Sequence, residues 1–265
     1  MKPDSRLSYF VRNWLTAFVD PRRIAGLTNL PQFFLDWRRY NRLARADRIA
    51  LLESYPCLTD RTFHIPFDSH YFYQGWWAAG KLVESAPVRH VDIGSSVMMI
   101  GILSALVPTV YIDYRPLKAK VRGLTSMAGD LLALPFADRS IHSLSCLHVI
   151  EHVGLGRYGD ALDPEGSFKA AGEIIRVLAP GGRLLFSTPV GRERVQFNAH
   201  RVFLPQTVLS MFAQFKLVHF SMVDDEGMFY IGAALTDAIE CEYACGMFEF
   251  EKTIEPSHPA LVRRP

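Results

Sequence analysis

From residue 88 onward the chain alternates short apolar runs with helix-period segments, and this alternation limits the fold more than any other feature. Strands are expected at 88–93 (VRHVDI), 110–113 (VYID), 125–128, 142–149 (HSLSCLHV), 183–188 (RLLFST), 216–223 and 246–252 (GMFEFEK). Helices are expected at 97–106, 165–178 and 205–213. Strands this short and this apolar are buried on both faces, which requires helices on either side of the sheet. The fold class is therefore α/β, a doubly wound, mostly parallel sheet. No internal repeat is present.

The segment before it differs in charge and composition. Residues 1–50 carry ten Lys/Arg against four Asp/Glu, a net +6, while the remainder carries a net −4. A helix is expected at 5–19, with Leu7, Val11, Trp14, Leu15 and Phe18 on one face, capped by Asp4 or Ser5 and ended by Pro21. A second is expected to begin near Pro31, with Phe33, Trp37, Tyr40 and Ala44 on one face and Arg38, Arg39, Arg42, Arg45 and Arg48 on its flanks. Aromatic residues with arginines on amphipathic helices suit an anionic membrane surface or a partner protein. Equally, they suit a helical cap with solvated arginines. Residues 54–88 are aromatic-rich, and 72–85 is expected to be a helix leading into the core. The domain reading is a helical, basic N-terminal extension at 1–85, the α/β domain at 86–253 and a tail at 254–265.

Several function classes fall away. A whole-chain charge of +2 gives no electrostatic footprint for nucleic acid. Asp4, Arg6 and Arg12 interrupt any signal-peptide core, so a cytoplasmic location is expected, with peripheral contact at the inner membrane face through residues 1–50. The 20 charge-free residues from Ile93 to Ile112 are long enough to span a bilayer. Gly94, Ser95, Ser96 and Pro108 instead divide them into strand end, turn, helix and strand. Cys57, Cys146, Cys241 and Cys245 form no C-x-x-C. Cys241 and Cys245 lie one helical turn apart, but no second ligand pair accompanies them, so no metal is expected.

Ligands of open α/β sheets bind beyond the carboxyl ends of the strands. The first strand ends in Asp92-Ile93-Gly94-Ser95-Ser96, the second in Asp113-Tyr114-Arg115, and the third in Gly129-Asp130-Leu131. The fourth ends in His148-Val149-Ile150-Glu151-His152 and the fifth in Thr188-Pro189-Val190-Gly191. Carboxylates thus stand at three successive strand ends. One after the second strand can accept both ribose hydroxyls of a nucleoside, and one after the third can accept from an adenine amino group. Gly94 permits close backbone approach. A nicotinamide site needs G-x-G-x-x-G, and a Ser–His–Asp hydrolase needs a G-x-S-x-G elbow; neither pattern occurs here.

Over residues 88–252 these features resemble the class I S-adenosylmethionine-dependent methyltransferases. The resemblance rests on the acid-x-Gly turn (Asp92, Gly94), on Asp113, and on Gly129-Asp130 followed by 134–138 (LPFAD). It continues through 147–153 (LHVIEHV) and 178–184 (LAPGGRL). More narrowly, 154–166 (GLGRYGDALDPEG) and 197–203 (FNAHRVF) are similar to an uncharacterised methyltransferase-like domain family of unknown function, number 268. Two glycines of the usual acid-x-Gly-x-Gly-x-Gly loop are Ser96 and Met98 here. The resemblance implies a Rossmann-like methyltransferase fold with S-adenosylmethionine as cofactor. Asp92, Gly94, Ser95, Ser96, Asp113, Tyr114, Gly129, Asp130 and Leu131 would form the cofactor site.

His148, Glu151 and His152 follow the fourth strand, where this family places the methyl group. A neutral histidine or a carboxylate there can take a proton from an acceptor hydroxyl or amine, so these three are the catalytic candidates; their alternative is to position the next loop. Arg157, Tyr158 and Asp160 in the Gly-rich insert, with His200 and Arg201 after the fifth strand, are the candidate substrate contacts. The alternative for them is a loop fastened by local hydrogen bonds. The expected activity is methylation of a small molecule or a glycan, with cell-surface polysaccharide assembly as the setting. Rival readings are a non-catalytic binding module of the same fold and a membrane-surface adaptor.

Overall fold

The computed structural model describes residues 11, 14–43 and 48–253. Residues 5–10, 12 and 13 of the first expected helix, Ala44 and Arg45 of the second, and the tail at 254–265 lie outside the described residues. The chain divides into two compact units, 1–67 and 68–265.

In the first unit residues 14–18 are helical, followed by α1 (Pro21–Gly26) and α2 (Leu30–Tyr40). Asp20 caps α1 by accepting from the Arg22 N–H, and prolines open both helices, where a missing N–H costs nothing. The Asn29 side chain donates to Leu58 O at 2.8 Å and Trp37 Nε1 to Ile49 O at 3.1 Å, tying the following segment to these helices. Trp14, Phe18, Ile24 and Leu35 remain exposed.

The second unit opens with α3 (Ser69–Ser85), whose N-cap Asp68 accepts from the Tyr71 N–H. Its buried Gln74, Trp77, Ala78 and Leu82 recur at helical spacing. Trp77, Ala78 and Leu82 pack with Ile100, Leu103 and Tyr111 in one apolar cluster. For that reason the units divide at 67/68, rather than at the 85/86 boundary read from the sequence: this helix supplies one layer of the α/β domain.

Among the described residues one eight-stranded sheet runs in the order β3-β2-β1-β4-β5-β10-β8-β9. The strands are β1 (His90–Ile93), β2 (Thr109–Asp113), β3 (Leu124–Ala128), β4 (Ile141–Leu147), β5 (Leu178–Val190), β8 (Phe215–Val223), β9 (Phe229–Ile231) and β10 (Ala244–Lys252). β6 (Arg194–Gln196) and β7 (His200–Val202) form a separate hairpin. The β3-β2-β1-β4-β5 half is parallel, and β10, β8 and β9 add antiparallel. The mostly parallel α/β sheet is thus present, with an antiparallel edge. The chain-reversing hairpins β6–β7 and β8–β9 were not expected from the apolar pattern.

One face of the sheet is covered by α3 and by α4 (Val97–Leu103). The other is covered by α5 (Gly166–Val177) and α6 (Pro205–Met211), where Ile174, Phe186, Phe212, Phe248 and Phe250 are fully buried. Each such side chain contributes roughly 1.5–3 kcal/mol of burial. A short helix, α7 (Leu235–Ile239), precedes β10. The charge-free stretch from Ile93 to Ile112 resolves into strand end, turn, α4 and β2. No helix of the described residues is long and apolar enough to cross a membrane.

Candidate active site

The parallel strands β2, β1 and β4 are neighbours, so Asp113, the 94–96 turn and the 148–152 segment emerge side by side at one edge of the sheet. At β1, Gly94 has φ +63°, and its N–H donates to Ile112 O at 2.8 Å. A Cβ there would stand 3.1 Å from Val149 Cγ1 and 3.7 Å from Asp113 Oδ2. Glycine therefore keeps the space between the turn and Asp113 open.

Two of the expected cofactor residues, Asp92 and Ser95, bond within the protein. Asp92 is wholly buried: its Oδ1 accepts from the Ser95 N–H at 3.1 Å and its Oδ2 from Ser145 Oγ. It shapes the turn from beneath instead of facing the cleft. Burial pushes its carboxyl up to about 6, even though the Ser145 and Ser95 bonds pull the other way. Ser95 also turns inward, with Oγ accepting from the Leu147 N–H at 3.1 Å. Ser96 is half-buried just ahead of α4 and makes no side-chain cap. Met98 is 76% exposed on α4.

Asp113 is half-buried at the end of β2. Its Oδ1 accepts from the Arg115 N–H at 2.7 Å and its Oδ2 from Tyr111 Oη at 3.1 Å. Tyr114 is exposed. The Gly129 N–H donates to Asp113 O at 3.1 Å, which brings the two strand ends together. Asp130 is exposed, with Oδ1 accepting from the Leu132 N–H at 2.8 Å; the Leu131 side chain belongs to the core. An oriented carboxylate beside a turn with no side chain fits a nucleoside cofactor of the S-adenosylmethionine type.

At β4 the three catalytic candidates separate by environment. Glu151 is completely buried, with Oε1 3.3 Å from His148 Nδ1 and 3.8 Å from His152 Nε2. Burial alone would raise its carboxyl, but the two histidines outweigh burial and hold it below the ordinary range. His148 sits at φ +56°, a left-handed backbone that costs energy for a non-glycine residue. Its Nε2 lies 3.2 Å from Cys245 Sγ. Burial lowers His148, yet the Cys245 sulfur and Glu151 together raise it to about 10. His152 is different: burial holds it below the usual imidazole value, and its Nδ1 is 2.6 Å from Ala199 O. The carbonyl assigns the proton to Nδ1 and leaves the Nε2 lone pair free.

Of the expected substrate contacts, Tyr158 and Arg157 stay at the surface. The Tyr158 ring is edge-on to His152 at 5.7 Å and lies under the Arg115 guanidinium at 4.7 Å, linking the insert to the end of β2. Arg157 donates to Ala199 O at 3.1 Å. His200 is pushed down to about 4 by burial, and its Nε2 is buried without a partner. Asp160 and Arg201 bond within the protein. Asp160 accepts from the N–H groups of Gly154, Gly156 and Tyr158 and braces the insert. Arg201 is buried and donates to Val153 O, Ser167 Oγ, Asp163 O and Pro164 O, so its guanidinium is a strut.

The fold also brings in residues that the motifs did not mark. His70, Tyr71, Tyr243 and Cys245 surround His148, with ring centroids of 6.1 Å for His70–His148 and 5.8 Å for Tyr71–His148, and with Tyr243 stacked on His70. They come from α3, from the residue just before β10 and from β10 itself, and no local pattern in the sequence separates them from core aromatics.

A family model described as "Caenorhabditis protein of unknown function, DUF268" matches residues 137–240. No curated protein matches the chain. Among solved structures, a protein assigned as a sarcosine dimethylglycine methyltransferase of Galdieria sulphuraria superposes with a TM-score of 0.50 at 14% identity, over 70% of this chain and 86% of that one. A 1,6-didemethyltoxoflavin-N1-methyltransferase of Burkholderia thailandensis gives 0.49 at 13%, over 68% and 79%. The N-methyltransferase NodS of Bradyrhizobium japonicum gives 0.47 at 14%, over 83% and 97%. At such identities the likeness is one of architecture: over 70% of its length this chain shares the methyltransferase fold of the Galdieria protein, and the DUF268 model matches residues 137–240.

Proposed function

We propose that this protein is an S-adenosylmethionine-dependent methyltransferase acting on a small molecule or a glycan. One observation carries the reading. The edge of the sheet that presents Asp113 beside the open Gly94 turn also presents, one strand away, a buried Glu151 next to a neutral histidine. Asp113 would hold the ribose hydroxyls, Gly94 and Ser96 would line the amino-acid end, and Asp130 would meet the adenine. When bound, the cofactor supplies an electrophilic methyl group on a positively charged sulfur.

The chain's own contribution is alignment of the acceptor and transfer of its proton. His152 Nε2 accepts that proton, Ala199 O fixes the ring's tautomer through Nδ1, and the Glu151 carboxylate stabilises the imidazolium that results. Tyr158 and Arg157 flank the mouth and would contact the acceptor. A sugar hydroxyl in polysaccharide assembly is the acceptor we favour. The basic first 50 residues with exposed Trp14 and Phe18 support work beside an anionic membrane surface in the cytoplasm.

Calorimetry with S-adenosylhomocysteine tests the reading. Ligand at about 100 times its Kd adds roughly 2.7 kcal/mol, and at about 2–4 °C per kcal/mol the Tm should rise by roughly 5–10 °C. Absence of both heat and shift at millimolar ligand would end it.

A further inference from the structure

We infer that His70, His148 and Cys245 form a binding site for a borderline-soft divalent cation of the Zn2+ type. One ligand atom from each lies within 4.8 Å of the other two. Four-coordinate zinc, with bonds of roughly 2.0–2.1 Å to nitrogen and 2.3 Å to sulfur, sets its ligand atoms about 3.4–3.6 Å apart. His148 Nε2 and Cys245 Sγ, at 3.2 Å, are already near that spacing. His70 needs a displacement of about 1 Å, small for a side chain in the first turn of a helix.

Three further features match a metal centre. Glu151 Oε1 stands 3.3 Å from His148 Nδ1, the ring nitrogen facing away from the sulfur. A carboxylate behind a ligating imidazole is the arrangement that orients such ligands. The left-handed backbone of His148 is a cost borne where the ring is aimed. The stacked Tyr243 ring fixes the plane of His70, and Tyr71 closes the side of His148.

Two imidazoles and one thiolate suit zinc, while magnesium and calcium prefer oxygen. Three protein ligands leave a fourth position open. If the methyltransferase reading holds, an acceptor hydroxyl or thiol would take it. This site reverses the expectation of no metal, which considered Cys241 as the partner of Cys245; the fold supplies His70 and His148 instead. Metal binding by these residues does not depend on the cofactor reading.

The test uses the full chain, stripped with a chelator and dialysed against Zn2+ or Co2+. About one equivalent of Zn2+ should be retained, and Co2+ should give a sulfur-to-cobalt charge-transfer band. Cys245→Ser should abolish the band, and His70→Gln should weaken Zn2+ binding at least tenfold. Cys57→Ser and Cys241→Ser should keep both signals. Should Cys245→Ser fail to fold by circular dichroism, the parent band and His70→Gln decide. No retained Zn2+, a band that persists in Cys245→Ser, or unchanged affinity in His70→Gln would each overturn the inference, leaving a hydrogen-bonded His148–Cys245 pair only. Parallel titration with S-adenosylhomocysteine separates the two ideas. Cofactor binding without Zn2+ sinks the metal alone, and Zn2+ binding without cofactor sinks the methyltransferase alone.

Discussion

The Tyr111 hydroxyl donates to Asp113 Oδ2 at 3.1 Å from two residues earlier on the same strand, and it also lies 3.2 Å from Ser95 O. A single buried phenol therefore ties the carboxylate at the end of β2 to the turn at the end of β1. Asp113→Ala should weaken S-adenosylhomocysteine binding by tenfold to over a hundredfold, because hydrogen bonds to a charged group are worth about 1.5–3 kcal/mol. Tyr111→Phe keeps the carboxylate and loses only its orientation, so the loss should be smaller. Calorimetry on both variants checks the order. Parental affinity in a folded Asp113→Ala would remove Asp113 from the cofactor site.

His152 and His148 sit on either side of Glu151, but only His152 is held neutral. His152→Ala should lower turnover by on the order of 10²–10⁴ while cofactor affinity stays near parental. The measurement follows a screen of nucleotide sugars and lipid-linked glycans with labelled cofactor. A joint loss of Tm, affinity and turnover would instead mark His152 as a packing residue.

The parallel half of the sheet and its ligand edge were legible because buried strands leave apolar runs and their ends leave Gly and Asp. The direction in which each end residue points was not legible. Asp92 and Asp113 both close a strand with a carboxylate, yet one is sealed under Ser145 and the other opens to the cleft. Their places along the strands differ: Asp92 lies one residue inside β1, whereas Asp113 is the last residue of β2. In the antiparallel half β8 and β10 were legible as apolar runs at 216–223 and 246–252, and the three shortest strands escaped for another reason. β6, β7 and β9 span three residues each, too few to show a period. His70 and Cys245 meet His148 only through tertiary packing, across 78 and 97 positions of sequence.

Arg201 offers a direct test of strut against substrate contact. Its guanidinium satisfies three backbone carbonyls and the Ser167 hydroxyl around the start of α5. Arg201→Met keeps much of the stem and removes all four bonds, at about 1–3 kcal/mol for each acceptor that water does not reach. Tm should fall by on the order of 10 °C. An unchanged melting curve with a raised KM for the acceptor would restore the substrate role.

Asp92 makes stability depend on pH with a definite sign. Its carboxyl titrates at about 6 in the fold against 3.8 in an unfolded chain, chiefly through burial. A raised carboxyl contributes stability that is fully present below 3.8 and is lost as pH rises through 6. Asp92→Asn removes the charge and can keep both bonds: the amide oxygen accepts from the Ser95 N–H, and the amide nitrogen can donate to Ser145 Oγ. The variant should therefore gain on the parent between pH 4 and pH 6, reaching a plateau on the order of 3 kcal/mol near neutral pH. His90, bonded on both ring nitrogens to Ser143 and Ser145, acts in the opposite direction. Burial lowers it to about 4, so its contribution is full above 6.5 and is lost as pH falls through 4. Because His90 is present in both proteins, its effect largely cancels in the difference between them. Urea unfolding of the two chains at half-unit steps from pH 4 to pH 7.5 reads that difference. A gap that does not change with pH would mean that Asp92 ionises in the fold as it does in the unfolded chain.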